Sequence, residues 1–456
     1  MVHFLDRFFE ISGEIVWGPH MLILLIGTGI FFTFRLRGLQ FHRLRNAAAL
    51  MMLGVRRKDR SADKKGDITP LQALMTSTSA VVGNGNIAGV ATAIALGGPG
   101  AVFWMWITGF VGMATKFSEV MLGVHFREYN PDGTILGGPM LYLREAIKWK
   151  NTGKLFSLFF AFAIGLKALL TTSMQQSNSI TLAVESHIGI ERWIVGLVLA
   201  LLTWAVIVGG IKSIGRIAEF IAPAMSLVYI IGGSLVLIVF WKTLPEVFMR
   251  IFSDAFSGTA AAGGFAGATL MNAMRFGIAR GSYSNEAGTG SSPFAHAAAK
   301  TDEPVRQGLI AMLDVFIDTI ILCTITALVI LSSGQWLTGT TSTELATSAF
   351  ETGIPFGGWI VVLSSLLFGY SSLISWPYIG EQAWAYLFGF GIKKYYRWGF
   401  CLFVFLGSIV KVNTVWLMVD TMNGVQAVPN LIGILLLSGV VVRITGSYLR
   451  NGTKTR

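Results

Sequence analysis

Two apolar stretches of this chain are interrupted partway through by glycine, serine and asparagine. The first runs Thr76-Ser77-Thr78-Ser79-Ala80-Val81-Val82-Gly83-Asn84-Gly85-Asn86-Ile87-Ala88-Gly89-Val90. The second runs Gly277-Ile278-Ala279-Arg280-Gly281-Ser282-Tyr283-Ser284-Asn285-Glu286-Ala287-Gly288-Thr289-Gly290. Non-helical backbone inside a bilayer survives only where protein or a water-filled cavity satisfies its N–H and C=O groups. A matched pair of such breaks marks the binding site of a secondary transporter.

Composition fixes the setting. The 456 residues are 53% hydrophobic and 13% charged, with mean hydropathy +0.63, which describes a polytopic membrane protein. Glycine, 53 residues, exceeds its usual share of roughly 7% and suits close helix packing in lipid. The net charge of +11 sits in short loops between apolar spans, so it reports orientation and not nucleic-acid binding. Cys323 and Cys401 both fall inside apolar spans and read as packing residues. The first span is too long for a signal-peptide core, and Asp6, Glu10 and Glu14 precede it; it reads as a first membrane helix.

Windows of about 20 apolar residues predict eleven spans, near 15–35, 70–96, 99–125, 155–182, 192–210, 215–241, 263–290, 306–332, 357–387, 397–412 and 428–446. Segment 413–427, with Asn413, Asp420 and Asn423, reads as an interfacial helix or as the broken top of the tenth span. The loop 36–68 carries Arg37, Arg43, Arg45, Arg56, Arg57, Lys58, Arg60, Lys64 and Lys65, which places it in the cytoplasm. The basic residues of 127–154, including Lys148, agree with it, as do Lys393, Lys394 and a tail ending in Lys454 and Arg456. The expectation is a multi-pass protein of the inner (plasma) membrane, N-terminus outside and C-terminus cytoplasmic. Setting the first span aside leaves five plus five. An odd number of helices per repeat inverts its successor, so the two breaks enter from opposite sides. The fold class expected is all-α, an extra N-terminal helix followed by a 5+5 inverted repeat. Its divisions are 1–68, 69–241 for the first repeat, 242–446 for the second, and a tail 447–456.

The breaks supply the chemistry. Half-helix N-termini offer N–H groups to a carboxylate, and unwound carbonyls with hydroxyls take a cation. In Val82-Gly83-Asn84-Gly85-Asn86, four consecutive Gly/Asn residues exceed what a kink requires, although a kink or a small-residue packing face is the bland alternative. Arg280 and Glu286 are intramembrane charges, either functional or locally paired to shape the loop. Gln175 and Gln176 lie about 30 Å into their span, as ligand contacts or interhelical glue. Ser371, Ser372 and Ser375 precede Trp376-Pro377-Tyr378; the hydroxyls suit a cation, and the indole suits a pocket wall. Asp314 and Asp318 are spaced i,i+4 on one face, in a coupling role or as a buried structural pair. Lys116 and Glu119 are expected to pair with each other, and Glu219 and Glu381 are weaker candidates.

Several of these strings resemble the alanine or glycine:cation symporter family. They are Gly83-Asn84-Gly85-Asn86-Ile87-Ala88-Gly89-Val90-Ala91-Thr92-Ala93, Gly97-Gly98-Pro99-Gly100-Ala101-Val102-Phe103-Trp104-Met105-Trp106 and Ser284-Asn285-Glu286-Ala287-Gly288. Gly290-Ser291, Ala295-His296-Ala297-Ala298-Ala299, Gln176-Ser177-Asn178-Ser179, Glu303-Pro304-Val305-Arg306-Gln307-Gly308 and Pro429-Asn430-Leu431 extend the resemblance over nearly the whole chain. It implies a LeuT-type fold with one extra helix, and import of alanine, often glycine, with sodium as coupling ion and no other cofactor. It places the substrate on Val82, Gly83, Asn84, Gly85, Asn86, Gln176, Phe276, Ser372 and Trp376. It places the cation on backbone at Ala80 and Gly83 with Ser371, Ser372 or Ser375. The family often has Thr at the position of Asn84 and Ser at that of Pro377, departures that bear on substrate size and on the course of span nine.

The partners implied are a small neutral amino acid, Na+ and membrane lipid. The runner-up is a proton-coupled carrier or exchanger using Asp314 or Asp318. A passive channel would more often show a charged ring or filter. An enzyme would need a nucleophile–base or metal constellation, and no His-Glu-x-x-His, Gly-x-Ser-x-Gly or Cys/His cluster occurs in the sequence.

Overall fold

The computed structural model describes residues 2–56, 65–130, 134–147, 149–257, 270–410 and 412–452. Outside them lie Arg57 to Lys64, Lys148, the 258–269 stretch that includes the start of expected span seven, and the tail with Lys454 and Arg456. The side chains of Asp6, Glu10, Glu14, Arg56, Asn413 and Asp420 are likewise outside the description.

The chain opens with α1 (Val2–Val16), α2 (Pro19–Arg35) and α3 (Leu39–Arg56). The expected single span 15–35 is therefore preceded by a separate helix. Gly18 is extended and Pro19 starts the next helix, because proline favours a first helical position and keeps the residue before it out of helix. The expected basic loop is largely helical, α3 turning 80° from α2.

The first broken span follows as α4 (Pro70–Val81), a short 3-10 turn (Asn84–Asn86) and α5 (Ala88–Gly97). Thr69 and Gln72 form a reciprocal capping box at its start, with Pro70 in the first position; such a cap fixes where the helix begins. Next come α6 (Gly100–His125), a two-residue hairpin of β1 (Glu128–Tyr129) and β2 (Ile135–Leu136), and α7 (Pro139–Ala146). Then α8 (Lys150–Lys167) continues through a π-helical turn (Ala168–Thr172) into α9 (Ser173–Ile188). The half is completed by α10 (Arg192–Ile207) and α11 (Gly210–Val239).

The second half starts with α12 (Leu244–Ser257). Its broken span is α13 (Leu270–Asn285) and α14 (Ser292–Ala297). α15 (Pro304–Val315) runs through a second π-helical stretch (Phe316–Cys323) into α16 (Thr324–Ser333). Between the expected spans 306–332 and 357–387 lies α17 (Ser342–Gly353). Then come α18 (Gly357–Phe388), unbroken through Pro377, and α19 (Ile392–Ile409), α20 (Val412–Leu436) and α21 (Ser438–Gly452). The ambiguous segment 413–427 thus belongs to α20, joined to what was expected as the start of span eleven.

The described residues are almost entirely helical, the hairpin and one isolated bridge aside. Among them, four continuous helical runs are long and apolar enough to cross a bilayer: Lys150–Ile188, Gly210–Val239, Pro304–Ser333 and Gly357–Phe388. Counting each of three bent pairs as one span raises the total to seven.

Two packing groups emerge among these helices. The broken spans pack with α6 and α15, with α4 also lying against α11 and α18; α8, α9, α10, α18 and α19 pack with one another. At one end the two broken spans meet. Lys300 N–H donates to Ile68 O at 2.8 Å and Asp67 N–H to Ala298 O at 2.9 Å, forming a parallel bridge between Ile68 and Ala299. The Arg127 guanidinium caps it, donating to Ala297 O (2.8 Å), Ala299 O (2.7 Å) and Thr301 O.

Candidate functional site

The first break lies where α4 ends. Gly83 is extended, and its N–H donates to Asn86 Oδ1 at 3.0 Å, so the asparagine satisfies a donor that the lost helix would have bonded. Glycine is required here for space. A Cβ on Gly83 would stand 2.8 Å from Gln176 Nε2 and 2.9 Å from Ser372 Oγ, and one on Gly85 would stand 2.9 Å from Tyr283 Cε1. Asn84 Nδ2 donates to Gln176 Oε1 (3.0 Å), and Ser365 Oγ donates to Asn84 Oδ1 (2.5 Å). The break therefore touches α9, α13 and α18 at once.

On α18 the serines face the unwound carbonyls. Ser371 Oγ lies 3.2 Å from Ser79 O and 3.5 Å from Val82 O, and Ser372 Oγ lies 3.2 Å from Ser79 O. The carbonyls that meet the serines are those of Ser79 and Val82. Ala80 O accepts from Trp376 Nε1 at 3.1 Å, and Gly83 O from Asn86 N–H at 3.1 Å. The carbonyls that meet the serines thus lie one residue before those of Ala80 and Gly83. Among the described residues, the buried hydroxyls of Thr76, Ser79 and Ser375 have no hydrogen-bond partner. Carbonyl and hydroxyl oxygens with spare acceptor capacity suit a hard monovalent cation.

Two buried carboxylates back the breaks. Asp318, in the π-helical stretch, accepts from Asn86 Nδ2 (2.6 Å), Ser284 Oγ (2.9 Å) and Thr319 Oγ1 (2.8 Å). Asp314 lies 2.5 Å from both Ser77 Oγ and Thr78 Oγ1, and 3.5 Å from His296 Nε2. Each carboxylate thus has its own donors, which is how two sit within one helical turn. Lys116 does not bond Glu119 directly: its ammonium donates to Ser292 Oγ (2.7 Å), while Glu119 accepts from Asn430 Nδ2. The two helices flanking them supply better geometry than the i,i+3 spacing does.

The second break occupies the later part of the expected Gly277–Gly290 stretch. α13 stays helical through Asn285, and the unwound residues are Glu286 to Ser291. Glu286 (φ 54°), Gly288 (φ 93°) and Gly290 (φ 80°) are left-handed. Asn430 of α20 pins this loop, donating to Gly288 O at 2.9 Å and accepting from Tyr142 OH at 2.5 Å. The Glu286 carboxylate accepts from Ser291 Oγ at 2.5 Å, and its charged partner is Lys167.

Of the expected residues, the fold brings Ala80, Val82, Gly83, Asn84, Gly85, Asn86, Gln176, Ser371, Ser372 and Trp376 together around the first break, with Ser375 one turn along α18. Phe276 is elsewhere. It packs by Gly97, at the far end of α5, where a glycine Cβ would lie 3.2 Å from its own Cβ. Tyr283 takes the aromatic place beside the break, two helical turns nearer, and donates to Gln175 Oε1 at 2.9 Å. Glu219 accepts from Gln72 Nε2 (3.0 Å), and Glu381 pairs with Arg397 (2.6 Å), both away from the break.

Lys167, Tyr283, Ser365 and Asn430 were not among the expected site residues. Lys167 had a signal, a lone cation within an apolar run. Asn430 carried one too, in the string Pro429-Asn430-Leu431. Ser365 had none, because one serine in an apolar helix resembles any other.

The profile of the sodium:alanine symporter family matches residues 2–456. The chain belongs to that family. Its members are membrane transporters and not enzymes. A sodium/alanine symporter from Methanococcus maripaludis is 45% identical over 437 residues, 95% of each chain. A probable sodium/glutamine symporter from Bacillus subtilis is 37% identical, over 99% of this chain and 92% of its own. Among solved structures, a Na+-coupled sialic acid symporter in a substrate-bound, outward-open state aligns with a TM-score of 0.52 at 14% identity. That alignment covers 86% of this chain and 82% of the symporter, a likeness of fold alone.

Proposed function

We propose that this protein imports small neutral amino acids, alanine and glycine foremost, with Na+ by alternating access. One observation carries the proposal: Ser371 and Ser372 of α18 converge on the carbonyls of Ser79 and Val82 at the first break. These four oxygens would hold the cation, with Ser375 within a turn. The substrate carboxylate would lie against the N–H groups that follow Gly83, at the N-terminus of α5, where the helix dipole favours an anion. Gln176, Trp376 and Tyr283 would wall the side chain, a revision that puts Tyr283 where Phe276 was expected. The close approach of Gln176 and Ser372 to Gly83 favours a methyl group or hydrogen over a larger side chain. A relative that is a probable sodium/glutamine symporter makes substrate size the point to test.

Two packing groups support alternating access, one carrying both breaks and the other carrying Gln176 and the serines. We further propose eleven spans, with the extra helix in 1–68, inverted repeats in 69–241 and 242–446, and a tail 447–456. The N-terminus lies outside and the C-terminus in the cytoplasm, as the basic loops favour.

The test is uptake of labelled alanine into proteoliposomes under an inward Na+ gradient and an equal K+ gradient. Concentrative uptake with Na+ alone is expected, with leucine and glutamine competing at least tenfold less well than glycine. Uptake indifferent to Na+ overturns the cation assignment. Asp318, buried against Asn86 and Ser284 of the two broken spans, favours a second reading in which a proton replaces Na+. Uptake driven by a pH gradient without Na+ would select it.

A further inference from the structure

Lys167 ends α8, deep within the protein and about 13 Å along the same helical run from Gln176, toward the end that begins at Lys150. Its ammonium has three neighbours from three other elements. It donates to Asn423 Oδ1 of α20 at 2.7 Å, stands 3.6 Å from Glu286 Oε1, and lies 4.2 Å from the centre of the Trp376 ring. The side chains of the ion pair are 3% and 8% exposed. A buried pair of this kind adds little net stability, because desolvation offsets the attraction. Its presence inside a membrane protein calls for a function.

The backbone at Glu286 adds an independent observation. Its φ of 54° is left-handed, a conformation that glycine adopts freely and a side chain resists. Gly288 and Gly290 take the same region two and four residues on. A glycine at 286 would relieve the strain, so the loop geometry does not ask for glutamate. The carboxylate does. Strain of this sort persists only where the surroundings over-determine it, and here Ser291, Thr289 and Lys167 do so, with Thr289 Oγ1 donating to Glu286 O at 2.9 Å.

We propose that the Lys167–Glu286 pair is an inner latch. It ties the second break to the helix group that stays behind when the broken spans move, and so closes the path on the cytoplasmic side of the substrate. The side of the latch rests on the orientation proposed above. Trp376 couples it to the site, since the same indole donates to Ala80 O and faces the ammonium. On the opposite flank Tyr283 of α13 and Gln175 of α9 make a second contact. The second broken span is thus held to the α8–α9 run at two points, three residues apart on one side of the contact and eight on the other.

The experiment compares Lys167→Met, Glu286→Gln and the double variant by labelling with a membrane-impermeant thiol reagent. One reporter is Ser375→Cys, with Cys323→Ala and Cys401→Ala, labelled from the cytoplasmic face. The other is native Cys323, beside Asn86 and Ser284, labelled from the outer face in Cys401→Ala. Each single variant is expected to speed the first reaction roughly tenfold, within the usual range of conformational coupling, without speeding the second. The double variant leaves no unpaired buried charge and is expected to fold as the parent does while labelling as fast as the singles. Gradient-driven accumulation should fall while exchange across the bilayer persists. Parental labelling in the double variant, equal acceleration at both reporters, or no acceleration would overturn the latch. Labelling requires no substrate, so the wrong amino acid in the uptake assay leaves this test standing.

Discussion

Gly83 adopts φ −142° and ψ −163°, extended backbone open to alanine, so its requirement is spatial. A methyl there meets the Gln176 amide and the Ser372 hydroxyl inside 3.0 Å. Gly83→Ala is expected to cut uptake at least tenfold while the thermal midpoint falls only a few degrees, since overpacking costs about 1–3 kcal/mol. Uptake and unfolding measured on one preparation separate the two effects. The aromatic neighbours make a sharper pair. Phe276→Ala should leave the KM for alanine within about twofold, because its Cβ packs by Gly97, at the far end of α5. Tyr283→Phe loses the bond to Gln175, worth about 1 kcal/mol, and should raise KM several-fold. A larger effect at Phe276 than at Tyr283 would return the aromatic wall to its expected place.

The second break depends on a residue from another element. Asn430 is buried in α20 and serves Gly288 O, Glu119 and Tyr142 OH at once. Asn430→Leu would leave three buried polar groups without it, at about 1–3 kcal/mol each, and the detergent-purified protein should unfold well below the parent. Asn430→Asp sets a second carboxylate against Glu119. Two such groups share one proton, so the deficit should shrink as pH falls and grow as it rises, which a thermal-shift series across pH would record. The sequence makes the existence of the breaks legible, because glycine and asparagine runs in apolar helices have few other uses. The end of α13 was less so: Gly281 and Ser282 look like helix breakers, yet Gly281 stays helical. A Cβ there would lie 3.2 Å from Met105 and Thr108 of α6, so this glycine serves packing. The pairing of Lys116 was hidden for a related reason. Its partner Ser292 is 176 residues away, and helical spacing knows only near neighbours.

Across the whole molecule, apolar windows located the four continuous membrane-length runs but missed where helices join. Proline at position 19 split the first span, and α20 absorbed a polar segment because Asn423 and Asn430 find buried partners within the fold. Hydropathy cannot register such partners. Distant elements also set the closure of one end. Arg127→Met removes a half-buried cation from three carbonyls and is expected to cost about 2 kcal/mol, the scale of one charged hydrogen bond. Arg127→Lys should recover only part, since an ammonium cannot reproduce the guanidinium fork. Thermal unfolding of both variants, read beside uptake, checks that order.

The bridge between Ile68 and Ala299 joins segments from opposite halves of the chain edge to edge, at the outer ends of two half-spans. Under the alternating access proposed above, arms joined in this way would swing together, and the event that releases α4 would release α14. A transporter with independent arms would need two signals kept in step, and any lapse would let the driving ion through alone. Here the backbone bridge would supply that synchrony, and the proposed latch at Glu286 would have one moving body to hold.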